Sequence, residues 1–164
     1  MDEPAGVPLN VIYSADGQTL IFYPRTKRDF SYRVREGTQN IGASAFRNVQ
    51  YLYEVDLGDC VKNIGYIAFD WSLNLTQVTG TANVQTIDTS AFNECHNLHT
   101  ISPLSSIVSI SQDAFFGSAL ESIELSNQIE QLNGMMFAYC NLTTIVIPDS
   151  NPYFTVVDGV VFSK

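Results

Sequence analysis

The sequence predicts a solenoid built from five stacked copies of one short unit. Phenylalanines recur at Phe46, Phe69, Phe92, Phe115 and Phe137, at intervals of 23, 23, 23 and 22 residues. A fixed period in this range is typical of solenoids, in which each unit forms one coil and successive coils stack. Because each unit is apolar on both stacking surfaces, about three or more are needed for a stable core.

The first block of each unit ends at its phenylalanine. The blocks read IGASAF, IGYIAF, IDTSAF, ISQDAF and LNGMMF. Their apolar side chains at i, i+4 and i+5 predict a short helical turn. A small side chain follows three residues after each phenylalanine and predicts a buried column, whose members are Val49, Ser72, Cys95, Ser118 and Cys140.

The second block of each unit has the pattern Leu-x-x-Val/Ile and predicts a short strand. Its apolar pairs are Leu52 and Val55, Leu75 and Val78, Leu98 and Ile101, Leu120 and Ile123, and Leu142 and Ile145. Like positions of stacked strands are expected roughly 4.7 to 4.9 Å apart. Gly80 and Pro103 replace a further aliphatic residue in two units, so we expect those strands to end early, since proline cannot donate to a ladder.

Both ends of the chain depart from the repeat. Residues 11–24, VIYSADGQTLIFYP, predict a β-hairpin, because Asp16-Gly17 favours a tight turn between two β-rich runs. Residues 160–163 resemble the first of these runs, which predicts a further module and a natural chain that continues beyond Lys164. We therefore expect a hairpin cap at residues 1–31, a solenoid at 32–148 and a strand or partial hairpin at 149–164.

The repeats resemble the BspA-like leucine-rich repeats of bacterial surface antigens and of some protist surface proteins. The resemblance covers about residues 32–147 and rests on Ile-Gly-x-x-Ala-Phe, a later Cys or Ser, and Asn-Leu-x-x-Ile. FNECHNLHTI and FAYCNLTTI are its clearest copies, and Gly134 and Met136 depart from it. The resemblance implies a right-handed, β-rich leucine-rich repeat solenoid of the α/β type, with a parallel sheet on its concave side. It also implies adhesion or protein binding at an extracellular or cell-surface location.

Composition and charge argue against several partners. The net charge is −9, and Lys and Arg are absent from residues 63–163, which argues against nucleic acid. No apolar run reaches the roughly 18 residues of a membrane span, and residues 1–10 do not read as a signal peptide. Five basic residues lie between Arg25 and Arg35. They either bind an acidic neighbouring molecule or are ordinary surface charge.

The cysteines and histidines predict neither a disulfide nor a metal site. Cys95 and Cys140 share a column two coils apart, roughly 9 to 10 Å at the sheet spacing, beyond the ~7 Å reach of a disulfide. We expect both to be buried free thiols. His96 and His99 are not expected to converge with Cys95 on a zinc ion. No phosphate-binding loop, HExxH or nucleophile elbow is present, so we expect no cofactor and no catalytic residue.

Two surfaces are candidates for partner binding. The first comprises variable strand positions, namely Tyr53, Glu54, Asp56, Gln77, His99, Glu121 and Glu124. Thr, Ser and Gln dominate its centre, a composition that equally suits a half-exposed sheet without a partner. The second surface comprises aromatic residues that follow the phenylalanine column, Trp71, Phe116 and Tyr139. They are either exposed anchors or covers for the apolar edge of a neighbouring coil.

Three functions are consistent with these features. The first is a non-enzymatic module that binds a protein partner on a host or neighbouring cell. The second is a structural spacer whose ends make the contacts. The third is a carbohydrate-binding module with Trp71 or Tyr139 as its stacking platform.

Overall fold

The chain is a solenoid of short strands joined by turns in the computed structural model, which describes residues 10–133 and 135–164. The strands are β1 (Ile12–Tyr13), β2 (Thr19–Phe22), β3 (Ser31–Arg33), β4 (Asn40–Ile41), β5 (Glu54–Asp56), β6 (Asn63–Ile64), β7 (Gln77–Thr79), β8 (Thr86–Ile87), β9 (Thr100–Ile101), β10 (Ser109–Ile110), β11 (Ser122–Glu124), β12 (Gln131–Leu132), β13 (Thr144–Val146), β14 (Phe154–Val157) and β15 (Val160–Ser163). The predicted repeat solenoid with short parallel strands is confirmed.

Each coil contributes one strand to each of two sides of the solenoid. The first sheet has seven strands in the order β1-β2-β4-β6-β8-β10-β12, parallel except for the β1–β2 hairpin. On the other side, β3-β5-β7-β9 form a four-stranded parallel sheet and β11 pairs with β13. Val55 lies opposite Val78, so like positions of successive repeats pair as predicted.

The second side of the solenoid is interrupted after β9. That strand has two residues and ends before Pro103, as predicted, because proline has no N–H to donate. A single bridge between Leu104, which follows β9, and Leu125, which follows β11, connects the two coils here. The expectation that Gly80 also shortens its strand is wrong, since β7 has three residues, as β5 does.

The predicted helical turns are wrong: no helix occurs in residues 10–133 or 135–164. The repeated phenylalanines Phe46, Phe69, Phe92, Phe115 and Phe137 are called here the ladder phenylalanines, and Tyr23 with them the ladder aromatics. The backbone is left-handed two residues before and two residues after a ladder phenylalanine, for example at Ser44 (φ 59°) and Asn48 (φ 58°). These left-handed residues turn every second N–H group toward the next coil. The N–H groups of Ser44, Phe46 and Asn48 donate to carbonyl oxygens of that coil at 3.0, 2.7 and 2.8 Å. A third ladder of inter-coil hydrogen bonds therefore replaces helix.

The count of five repeats is also corrected, because a further coil precedes them. Leu20 pairs with Ile41 in the first sheet, and Tyr32 pairs with Val55 in the second. Tyr23 stacks on Phe46 with ring centroids 5.1 Å apart. This coil escapes the phenylalanine count because it carries tyrosine and has a shorter spacing between its aliphatic and aromatic positions. Strands β2 to β13 thus form six coils.

A column of stacked aromatic rings runs through the core. Ring centroids of Phe46, Phe69, Phe92, Phe115 and Phe137 follow one another at 4.7, 4.8, 5.2 and 5.6 Å. The first four are fully buried, whereas Phe137 in the last coil is partly exposed. The offset-stacked geometry adds to the burial of each ring and fixes the register of successive coils.

The two ends carry different hairpins. β1 and β2 form the predicted hairpin around Asp16-Gly17 and extend the first sheet. β14 and β15 pair with each other and lie over the last coil, where an apolar cavity of about 460 Å³ remains. Asn151 anchors this hairpin, since its side-chain amide donates to Ile129 O at 2.8 Å and its Oδ1 accepts from Tyr153 and Phe154.

Candidate binding surfaces

The outward side of β3, β5, β7 and β9, called here the sheet face, holds the first candidate surface. In β5, Val55 is buried while Glu54 is exposed and Asp56 partly exposed, as strand alternation requires. Gln77 lies beside Glu54 in the next coil. A shallow groove of about 260 Å³ runs over β3, β5 and β7 and is lined by these three polar residues among others.

An aromatic pair, one ring exposed and the other partly exposed, directly precedes the strands that line this groove. Phe30, with 62% of its surface exposed, stacks on Tyr53 with ring centroids 4.5 Å apart and an interplanar angle of 14°. Tyr51 is also exposed, and the Arg28 guanidinium lies 5.3 Å from its ring centroid. The sequence predicted Tyr53 but missed Phe30 and Tyr51. Phe30 precedes Tyr53 by 23 residues, so extending the repeat one coil toward the N-terminus would have found it.

The other predicted sheet residues do not all join this groove. His99 is exposed just before β9. Glu121 and Glu124 are exposed as well, but Glu124 lies in β11 and Glu121 directly precedes it, beyond the interruption at Pro103. The structure therefore brings together Tyr53, Glu54, Asp56 and Gln77, and places the remaining three farther along the solenoid.

The five predicted basic residues are largely engaged within the chain. Arg33 pairs with Asp56 and Lys27 with Asp29, both at 2.5 Å. Arg35 lies 5.1 Å from the centroid of the Tyr13 ring, and Arg28 covers Tyr51. The Arg25 Nε donates to Arg47 O at 3.1 Å. Each of the five basic residues therefore makes at least one contact within the N-terminal part of the chain.

The second candidate surface, called here the turn face, is formed by the left-handed turns around the ladder phenylalanines. Trp71 and Tyr139 are 49% and 80% exposed, and Phe116 is partly buried. Phe116 and Tyr139 contact edge to face with centroids 4.9 Å apart. Trp71 is separated from them by the coil that carries Glu94. The three predicted aromatics thus form one pair and one isolated residue.

Cys95, Cys140 and His96 make polar contacts within the chain. Cys95 is a fully buried free thiol as predicted. Cys140 is also free, but the prediction of full burial is wrong for it, because it lies in the last coil and is only partly buried. The two thiols donate to Phe69 O at 3.1 Å and Phe115 O at 2.9 Å. Burial raises the pKa of both thiols, which keeps them protonated as donors. His96 contacts Glu94 at 3.1 Å. Across the described residues, no group of three or more His, Cys, Asp or Glu is arranged to hold a metal ion.

Comparison with known families and structures identifies the repeats. The model of the BspA type leucine rich repeat region matches residues 31–157 in six copies. Comparison with curated protein sequences finds no match.

Solved structures of bacterial proteins share the fold. A leucine rich cell surface protein from Faecalibacterium prausnitzii is 27% identical (TM-score 0.74), and the match covers 84% of this chain and 37% of that protein. The pneumococcal vaccine antigen PcpA is 26% identical (TM-score 0.76), covering 84% of this chain and 35% of the antigen. The Treponema pallidum leucine rich repeat protein is 22% identical (TM-score 0.72), and the match covers 88% of this chain and 71% of that protein. The chain thus spans little more than a third of the first two.

Proposed function

Because the chain belongs to the BspA-type leucine-rich repeat family, we propose that it is a non-enzymatic module that binds a protein partner through its sheet face. Leucine-rich repeat domains generally mediate protein–protein interaction, and this family is generally non-catalytic. The proposal places the partner's contact over β3, β5 and β7, where Tyr53, Glu54 and Gln77 lie.

One observation carries the proposal: Phe30, which is exposed, stacks on the partly exposed Tyr53 directly before the strands that line the 260 Å³ groove. Aromatic side chains dominate the binding energy of protein interfaces, whereas surrounding polar residues contribute mainly to complementarity. Two stacked rings lose little conformational freedom on binding, because their packing already holds them. Glu54 and the Arg33–Asp56 ion pair supply the polar rim around this anchor.

We further propose a cell-surface or secreted location, with an adhesive role toward a host or neighbouring cell. The support is the description of one relative as a cell surface protein and of another as a vaccine antigen. No helix in the described part of the chain is long and apolar enough to cross a membrane.

An array of purified extracellular-matrix and bacterial surface proteins tests the proposal. The array is probed with the wild-type chain, with the Phe30→Ala/Tyr53→Ala double variant and with Tyr66→Ala, which removes a half-exposed tyrosine outside the sheet face. We expect at least one protein to bind the wild type and Tyr66→Ala alike, and the double variant about tenfold or more weakly. Equal binding by the double variant contradicts the proposed face.

A structural spacer is the second candidate function. It is supported by the C-terminal end, where Leu132, Phe137 and Ile145 of the last coil are only partly buried under the β14–β15 hairpin. A spacer would use such an end for stacking contacts, with the sheet face left free.

A further inference from the structure

A cleft on the turn face combines cationic, amide and aromatic groups. Arg25, Asn48 and Trp71 each lie two residues after the ladder aromatic of their coil, so three consecutive coils place them in one column. Together with Arg47 they line a cleft of about 320 Å³. The left-handed backbone of Asn48 and Trp71 (φ 58° and 59°) places both residues in the same conformation.

The two guanidinium groups of the cleft are held by their Nε atoms. Arg25 Nε donates to Arg47 O at 3.1 Å, and Arg47 Nε donates to Asp70 Oδ2 at 3.0 Å. Asp70 is buried, and its Oδ1 accepts from Asn93 Nδ2 at 2.7 Å. The structure shows no hydrogen bond from the Nη atoms of either arginine within the described residues, so these donors are free for an anion.

The amide and the indole are also positioned by the protein. Gln50 Nε2 donates to Asn48 Oδ1 at 2.7 Å and to Trp71 O at 2.9 Å, which ties the two residues together. With its oxygen engaged, the Asn48 amide has its Nδ2 hydrogens available as donors. The Trp71 side chain is half-exposed beside it.

We propose that this cleft binds an acidic sugar, a pyranose that carries a carboxylate. The face of an indole packs against the C–H face of a pyranose ring. Guanidinium groups bind carboxylates through paired, charge-assisted hydrogen bonds, and a side-chain amide suits the hydroxyl groups between them. In a chain of net charge −9, two arginines converge here against the single buried carboxylate of Asp70.

The charges of the neighbouring coils determine which way a bound acidic sugar is oriented in the cleft. Trp71 is followed in its column by Glu94, which repels a carboxylate, whereas Arg25 lies at the other end of the column. The sugar carboxylate therefore lies toward Arg25 and Arg47, with the ring over Trp71. This site is on the turn face, so it is independent of the protein partner proposed for the sheet face.

Isothermal titration with tetragalacturonate tests the site, with its fully methyl-esterified form as the uncharged control and a triaspartate peptide as a non-sugar carboxylate. The variants are Arg25→Gln and Trp71→Asn, because asparagine already occupies the equivalent left-handed position at Asn48. Tyr139→Asn is the matched control: it changes an exposed aromatic at the same column position with the same φ of 59°. Thermal unfolding of every variant confirms that the fold is retained.

We expect tetragalacturonate to bind the wild type and Tyr139→Asn equally, and to bind each cleft variant about tenfold or more weakly. We expect the wild type to bind the methyl ester about tenfold or more weakly than tetragalacturonate. Three results overturn the proposal: no binding of tetragalacturonate to the wild type, undiminished binding by Trp71→Asn, or equally tight binding of the triaspartate peptide. The last would assign the cleft to acidic protein segments. Loss of binding here leaves the protein-array result unchanged, so the two proposals fail separately.

Discussion

Single side chains close hydrogen bonds that the backbone of this solenoid leaves open. In several coils, the small residue three positions after the ladder phenylalanine donates to a carbonyl of the previous coil. For example, Ser72 Oγ donates to Phe46 O at 2.6 Å and Cys95 Sγ to Phe69 O at 3.1 Å. Both acceptors are buried. After Val49, the column alternates between Ser and Cys, which are both small donors, and size alone did not reveal this hydrogen-bonding role.

Ser72→Ala is expected to lower the free energy of unfolding by about 1–3 kcal/mol, because it leaves two buried backbone groups without a partner. These are the Phe46 carbonyl and the Val49 N–H, which donates to Ser72 Oγ at 3.2 Å. Ser72→Cys should cost less, since cysteine fills this position in two other coils. Urea denaturation measures both, with the exposed Ser105→Ala as control. Equal losses for Ala and Cys would refute the hydrogen-bonding role.

Ile67 is the residue whose backbone conformation least suits its side chain. Its φ is 46°, at a position where the other coils have Ser44, Ser90 and Asp113. Left-handed conformation is costly for a β-branched residue and well tolerated by asparagine. Ile67→Asn should therefore raise the free energy of unfolding by about 1 kcal/mol. Thermal unfolding of Ile67→Asn measures this gain. Tyr66→Asn, which changes the neighbouring residue where φ is not positive, should give no gain in stability in that measurement.

At the scale of elements, the aromatic column couples the coils. Phe92 stacks on a ring at each side, at 4.8 and 5.2 Å, and is fully buried, whereas Phe137 stacks on one ring and is partly exposed. Phe92→Ala should thus cost about 3–5 kcal/mol, and Phe137→Ala clearly less. Chemical denaturation of both variants provides the comparison. A loss at Phe137 as large as at Phe92 would mean that the stack does not carry the stability.

The elements also mark how far sequence reasoning reaches. The 23-residue period predicted the strands and the buried columns, because burial recurs with the repeat. It could not predict the left-handed turns, since the i, i+4, i+5 spacing of apolar residues reports which side chains are buried and not the sign of φ. The first coil was missed because Tyr23 follows Leu20 by three residues, where Phe46 follows Ile41 by five.

In the candidate sites too, the sequence predicted single residues but not which residues of neighbouring coils lie side by side. Tyr53, Trp71 and Tyr139 were identified as candidates from their variable positions in the repeat alone. Their neighbours Phe30 and Arg25 belong to the first coil, so a count of five repeats revealed neither the aromatic pair nor the arginine cleft. Adjacency between coils decides what these residues can bind, and it depends on the alignment of coils of unequal length.

For the whole molecule, the C-terminal hairpin packs over the last coil of the solenoid. It covers Leu132, Phe137 and Ile145 across a cavity of about 460 Å³ and is tied down by Asn151 and by Lys164, whose Nζ donates to Asn151 O at 2.6 Å. Removing residues 152–164 should expose these apolar side chains and promote end-to-end association. Sedimentation velocity across a concentration series should show larger species than the full chain forms. An unchanged mass would mean that the hairpin does not act as a cap.

The proposal that a protein binds the sheet face is tested most directly by amide hydrogen exchange on the chain, alone and saturated with the protein that the array retains. The account predicts slower exchange on binding in residues 30–33, 53–56 and 76–79, which form the aromatic pair and the groove over β3, β5 and β7. Protection confined to the turn face, or to the C-terminal hairpin, would contradict it.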